Sequence, residues 1–237
     1  MARLRTAIMD NDAPRVLGRK TLANMINEIN GSEVPQNKLT RIIHFCTEVG
    51  LINKIQRDVY TNAMALPVPV IDEVAEVVSP GCRISLQRAL GAYGIANNPS
   101  NIITVVVPFK PGETPKLGSI IVGDRQFRLH GMPQAVFDSG EPEDVEARWN
   151  RPIPGTVRLA TPEKALLDWI YLGTSRQSNM TLPPYGDIHL EDIDVNRLNR
   201  LAKAANLEGP ADRWLQHAQH VQGVDWEDHA REIGLKF

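Results

Sequence analysis

Gln36-Asn37-Lys38-Leu39-Thr40-Arg41-Ile42-Ile43-His44-Phe45-Cys46-Thr47-Glu48-Val49-Gly50, followed directly by Leu51-Ile52-Asn53-Lys54-Ile55-Gln56-Arg57-Asp58-Val59-Tyr60-Thr61, is the most informative stretch of the chain. In its first half Leu39, Ile42, Ile43, Cys46 and Val49 recur at helical spacing, which predicts a helix with one buried stripe. Pro35 stands at its start, where a missing N–H breaks no bond, and Gly50 stands where a helix is capped. The opposite face carries Asn37, Arg41, His44 and Glu48, flanked by Lys38 and Thr40. The second half holds two short β-prone runs around the polar loop Gln56-Arg57-Asp58, which predicts a hairpin.

Upstream, Leu22, Met25, Ile26 and Ile29 mark the apolar stripe of a helix from about Arg19 to Ile29, bounded by Gly18 and by Asn30-Gly31-Ser32. Another helix is expected through Leu4 to Met9. Three helices and a hairpin, in that order, predict a winged helix-turn-helix within residues 1–66. In that module the last helix enters the major groove and the hairpin's basic tip lies on phosphates. Double-stranded DNA is therefore the expected partner. Arg41 and His44 are candidates for base edges and Asn37 for adenine, with Thr40 beside them; Lys38, Lys54, Arg57, Arg19, Lys20 and Arg15 are candidates for phosphates. Two other readings stay open: a solvated face of a small helical domain, or a winged helix that docks a protein. Glu48 on the same face counts against DNA.

Over all 237 residues the chain is 42% hydrophobic, 23% charged and 5% aromatic, a composition that argues against extended disorder. The net charge of −2 gives no support for nucleic-acid binding until it is divided. Residues 1–62 hold nine Lys or Arg against six Asp or Glu, a net +3, which leaves −5 for the remainder. A basic head on an acidic body is a hint of two different partners. No apolar run is long enough to span a bilayer or serve as a signal peptide, so no membrane partner and a cytoplasmic location are expected. Cys46 and Cys82 are too few for a disulfide framework or a four-ligand zinc site.

Ala63-Met64-Ala65-Leu66-Pro67-Val68-Pro69 reads as a linker, after which residues 67–237 are expected to form a larger mixed α/β domain, making the fold class α+β. A short helix is expected around Val70–Val78, then one over Ile84–Ile95 with Ser85 as N-cap and Gly94 as stop. Strands are expected at Ile102–Val107, Ser119–Val122, Gln126–Leu129 and Thr156–Leu159, with Gly123-Asp124 as a tight turn. Thr161-Pro162-Glu163-Lys164-Ala165-Leu166-Leu167-Asp168 should start a helix, capped by Thr161 and carrying Lys164 and Asp168 as an i,i+4 pair. Ser175–Asp187 reads as a polar loop, and 192–207 and 211–221 as helices.

No phosphate-binding glycine loop and no G-x-S-x-G elbow occurs, and neither cysteine lies in a nucleophile motif. His217, His220 and His229 read as surface histidines, since the acid and spacing of a metalloprotease are missing. The carboxylates Asp138, Glu141, Glu143, Asp144 and Glu146 suit a solvated loop better than a nuclease site. No enzyme, cofactor or metal is expected.

Three segments together resemble the AbiEi-type antitoxins of type IV toxin–antitoxin (abortive phage infection) systems. They are the amino-terminal module ending in Val59-Tyr60, then Ser79-Pro80-Gly81 leading into Ile84-Ser85-Leu86-Gln87-Arg88-Ala89-Leu90, and Val157-Arg158-Leu159-Ala160 with the T-P-E-K-A-L-L-D helix that follows. The resemblance spans about residues 15–172. It implies a DNA-binding head that represses its own operon and a body that counteracts a nucleotidyltransferase-like toxin, directly or indirectly. The chain beyond Gly173 matches no motif of the family.

Overall fold

The computed structural model describes residues 2–97, 100–115, 117–147 and 157–223. Thr156 and His229 lie outside them. The chain is a mixed α+β structure built on two sheets.

Helix α1 (Ala2–Met9), strand β1 (Val16–Gly18), helices α2 (Arg19–Asn30) and α3 (Gln36–Glu48) and strands β2 (Ile52–Gln56) and β3 (Val59–Asn62) form the first unit. Its sheet is antiparallel in the order β1-β3-β2, with Leu17 opposite Tyr60 and Lys54 opposite Tyr60 on the other side. β1 escapes sequence reading because three residues are too short to display an alternation. Leu4, Ile8, Leu22, Ile26, Leu39, Ile43, Ile52 and Tyr60 fill the core of this unit. The Asn62 amide donates to the Ile8 carbonyl at 2.8 Å, tying β3 to α1. Gly50 follows α3 at φ 72°, the left-handed conformation expected of a capping glycine. Val49, expected inside, lies past the last turn and is 49% exposed.

The second unit runs through α4 (Ala75–Val78), β4 (Arg83–Ile84), α5 (Leu86–Ala92), β5 (Ile103–Phe109), β6 (Gly118–Val122), β7 (Arg125–Pro133), α6 (Gln134–Phe137), α7 (Pro142–Val145), β8 (Glu146–Ala147), β9 (Leu159–Ala160), α8 (Pro162–Thr174), α9 (Val195–Ala204) and α10 (Glu208–Gln222). Short 3-10 turns sit at Ile71–Val74 and Leu190–Asp192. Six strands form one mixed sheet, β6-β7-β5-β4-β9-β8, in which β5–β7 and β4–β9 run parallel. Helix α8 is buried almost all round, packed among α5, α9 and α10.

Three expectations need correction. The helix expected from Ile84 begins two residues later, because Arg83 and Ile84 pair with Val106 and Val105 as a strand. Ser85 makes no side-chain cap and instead donates its hydroxyl to Asp168 Oδ2 at 2.7 Å. Among the described residues of the strand expected over Thr156–Leu159, only Leu159 is strand, in β9 with Ala160. Lys164 and Asp168 pair as expected, at 2.9 Å, and both are fully buried. The expected Thr161 cap forms, its hydroxyl accepting from the Lys164 N–H at 3.3 Å. The polar 175–187 loop is anchored by two indole donors, Trp169 Nε1 to the Thr181 carbonyl and Trp214 Nε1 to that of Pro183.

The two units share a core. Val59 of β3 belongs to the larger hydrophobic cluster, with Val16 and Ile55 packed against it. Adjacent acids on the first 3-10 turn fix it on both sides: buried Glu73 takes Arg15 of the first unit at 2.7 and 3.2 Å, and Asp72 takes Arg88 of α5 within the second unit through two 2.6 Å bonds.

Candidate nucleic-acid interface

Helix α3 buries Leu39, Ile43 and Cys46, so Gln36, Asn37, Lys38, Thr40, Arg41, His44, Phe45 and Glu48 face solvent together. The turn between β2 and β3 projects Arg57, whose side chain is 95% exposed, and Lys54 is exposed on β2. Lys20, on the first turn of α2, is exposed as well. Among the described residues none of Lys20, Lys38, Arg41 and Lys54 has an ion-pair partner, so their charge is uncompensated by a near neighbour. The His44 imidazole lies 3.3 Å from Glu48 one turn on.

Arg19 and Thr40 are engaged within the protein. The Arg19 guanidinium donates to Thr40 Oγ1 at 2.9 Å and to Gln36 Oε1 at 3.3 Å, and lies 3.6 Å from Asp58 on the hairpin turn. Thr40 in turn donates to the Gln36 carbonyl at 2.8 Å. Arg15 is a correction to the sequence expectation: it is buried and ion-paired with Glu73 rather than exposed on the basic face. Phe45 went unassigned, because helical periodicity puts it neither in the stripe nor among the charges; it is 43% exposed. An exposed aromatic beside Arg41 on a helix is the signal that flags it, since aromatic rings contact thymine methyls or anchor protein partners.

Two members of the acidic cluster of the second unit, Asp144 and Glu146, are paired with arginines. Asp144 is held by Arg200 at 2.9 and 3.1 Å and by Arg197 at 3.2 Å, and the Arg200 bonds hold its carboxyl below the ordinary aspartate value. Glu146 Oε1 accepts from Arg158 and lies 3.4 Å from Arg83. Arg83 also stacks on Phe137, 4.0 Å from the ring centroid, and lies 3.6 Å from Asp168. Burial pulls the Lys164 ammonium below its ordinary value against the opposing pull of Asp168. Among the described residues no group of three or more His, Cys, Asp or Glu is placed to hold a metal. His217 lies against the Tyr185 ring at 5.6 Å, and His220 is exposed.

A cleft of about 560 Å³ opens beside β7 and the end of α8, lined by His130, Tyr171, Arg128, Phe109 and Met180. His130 Nε2 is buried there without a hydrogen-bond partner among the described residues. Burial, aided by Arg128, lowers that imidazole to about 4, so it is neutral at pH 7. No described helix is long and apolar enough to cross a membrane.

No protein-family model matches the chain. No curated protein matches it either. Among solved structures, that of the RV2827C protein from Mycobacterium tuberculosis is similar, with a TM-score of 0.51 at 14% identity, covering 92% of this chain and 76% of that one. At that identity the likeness is one of fold.

Proposed function

We propose that residues 1–66 are a winged helix-turn-helix that binds double-stranded DNA. On this reading the protein is an AbiEi-type antitoxin that represses its own operon, and residues 67–237 counteract a nucleotidyltransferase-like toxin, directly or indirectly. Its work is binding rather than catalysis, in the cytoplasm and without a cofactor. One observation carries the DNA-binding half: α3 and the hairpin present exposed cations, Lys38 and Arg41 on one and Lys54 and Arg57 on the other, within a unit whose helices and strands follow the winged-helix order. Asn37, Arg41 and His44 reach base edges in this scheme; Lys38, Lys54, Arg57 and Lys20 lie on phosphates, with Thr40 at the groove edge. The antitoxin half is supported by the order and spacing of the three resembling segments.

The experiment is a gel shift with the chain's own upstream duplex across a salt series. Specific binding should weaken steeply as salt rises, because each phosphate contact releases about 0.9 counterions. Arg41→Ala and Arg57→Ala should each weaken it. If both variants bind like the parent, α3 and the hairpin are not the DNA surface. Toxin neutralisation is tested separately, by co-expression with a nucleotidyltransferase encoded in the adjacent reading frame.

A second reading has one observation in its favour: Phe45 on α3 and Val49 just past its end expose apolar surface one turn apart. Stable co-purification with the neighbouring gene product, without any DNA shift, would identify this unit as a protein-docking module. A metal-dependent nuclease centred on Asp144 has no such support, since arginines occupy both its carboxylate oxygens.

A further inference from the structure

Resting on the DNA-binding reading, we infer that Arg19 and Asp58 form a clasp that sets the position of the hairpin relative to α3. Arg19 is then a positioning residue rather than a phosphate contact, and the acidic Asp58 promotes DNA binding although it sits at the tip that meets phosphates.

The geometry behind this joins three elements through one side chain. Arg19 is the first residue of α2. One of its terminal nitrogens reaches Thr40 Oγ1 and Gln36 Oε1 on the first turns of α3, at 2.9 and 3.3 Å. The other lies 3.6 Å from Asp58 Oδ1, and the Arg19 main-chain N–H donates to the Asp58 carbonyl at 3.0 Å. Asp58 stands in the hairpin turn at φ 61°, and the β2–β3 register shifts between Lys54 and Gln56, just before it. An irregular, left-handed turn has few conformational restraints of its own, so a side chain gripping it from α2 decides where its tip lies. Exposure separates the two arginines near the tip. The Arg19 side chain is 31% exposed with one terminal nitrogen hydrogen-bonded to α3 and the other directed at Asp58, whereas that of Arg57 is 95% exposed and, among the described residues, is paired only with Asp58, at 3.7 Å.

A planar guanidinium suits this task because its fork reaches two directions at once, which an ammonium does not. The clasp also reverses the sign expected from simple electrostatics. Removing an anion from a DNA-facing surface strengthens phosphate attraction; removing this one releases the hairpin.

The test measures affinity for the chain's own upstream duplex over a salt series, for Asp58→Asn, Arg19→Ala, Arg19→Lys and the double variant Arg19→Ala/Asp58→Asn. Asparagine tolerates the left-handed turn, so the backbone is preserved. Asp58→Asn should weaken binding roughly threefold or more, and Arg19→Ala should do so to a similar extent. Neither should change the salt slope, the double variant should add little, and Arg19→Lys should not rescue. In the DNA-free protein, hydrogen exchange at the hairpin amides should quicken in both single variants. The clasp is overturned if Asp58→Asn tightens DNA binding, or if Arg19→Ala lowers the salt slope by about one phosphate contact. Unchanged hairpin exchange in both variants overturns it whether or not the chain binds DNA. Absence of DNA binding by the parent chain, with exchange still quickened, strikes the DNA reading and leaves the clasp standing.

Discussion

Asp168 is the residue on which the second unit's buried polar chemistry converges: Lys164 at 2.9 Å, the Ser85 hydroxyl at 2.7 Å and Arg83 at 3.6 Å surround a carboxylate with no solvent access. Asp168→Ala strands two buried cations and should destabilise the protein by about 3–5 kcal/mol in urea unfolding. Lys164→Met should cost less, because Arg83 and Ser85 still serve the carboxylate. Equal losses would contradict this distribution of partners. His130 yields a pH effect. Its folded-state value of about 4 lies below the ordinary 6.5, so between those limits the unfolded chain binds more protons and stability falls as pH drops through that window. A His130→Gln variant should show a smaller decline in Tm from pH 7 to pH 4 than the parent. An identical decline would mean the imidazole titrates freely in the folded state. None of these environments was legible from sequence. The i,i+4 spacing of Lys164 and Asp168 revealed the pair, but a surface pair and a buried one have the same spacing.

Elements were the most readable scale. The stripes of α2 and α3, the capped start of α8 and the Gly123-Asp124 turn follow from local periodicity and turn chemistry, because those properties act within one or two turns of chain. Strands β1, β4 and β8 did not reveal themselves, since two or three residues become a strand only when a distant partner supplies the hydrogen bonds. Gly173 tests how tightly elements pack. Glycine to alanine within a helix ordinarily stabilises by up to about 1 kcal/mol. Here a Cβ would meet the Leu182 backbone at 2.8 Å, so Gly173→Ala should instead destabilise by about 1–3 kcal/mol. A stabilised variant in thermal unfolding would show that the 175–187 loop yields easily. On α3 the sequence marked Asn37, Lys38, Arg41 and His44 as one polar face, and they are exposed together. It could not mark Arg19 or Arg15 as engaged, because Asp58 and Glu73 approach them only through the fold.

At the scale of the whole molecule, the basic head is not suspended on a loose tether. Val59 contributes to the larger core, and the Arg15–Glu73 pair is buried where the units meet. The chain should therefore unfold in a single calorimetric transition. Glu73→Ala, which leaves Arg15 buried without an anion, should lower stability by about 3–5 kcal/mol. Two transitions in the parent chain, with only one shifted by the substitution, would show that the units fold separately. The shared core also reaches the hairpin, since Ile55 of β2 lies against the turn at Gly123.

Sequence by itself determined the α+β class, the helix–helix–hairpin order of the head and its positive charge against an acidic body. Periodicity, caps and charge are properties of near neighbours, and a linear reading captures them. Tertiary structure alone decided which charges remain free. Arg15 meets Glu73 58 residues away, and Ser85 meets Asp168 across 83. Desolvation forces such buried groups to find partners wherever the fold brings them, while Lys38, Arg41, Lys54 and Arg57 stay in water and keep their charge outward.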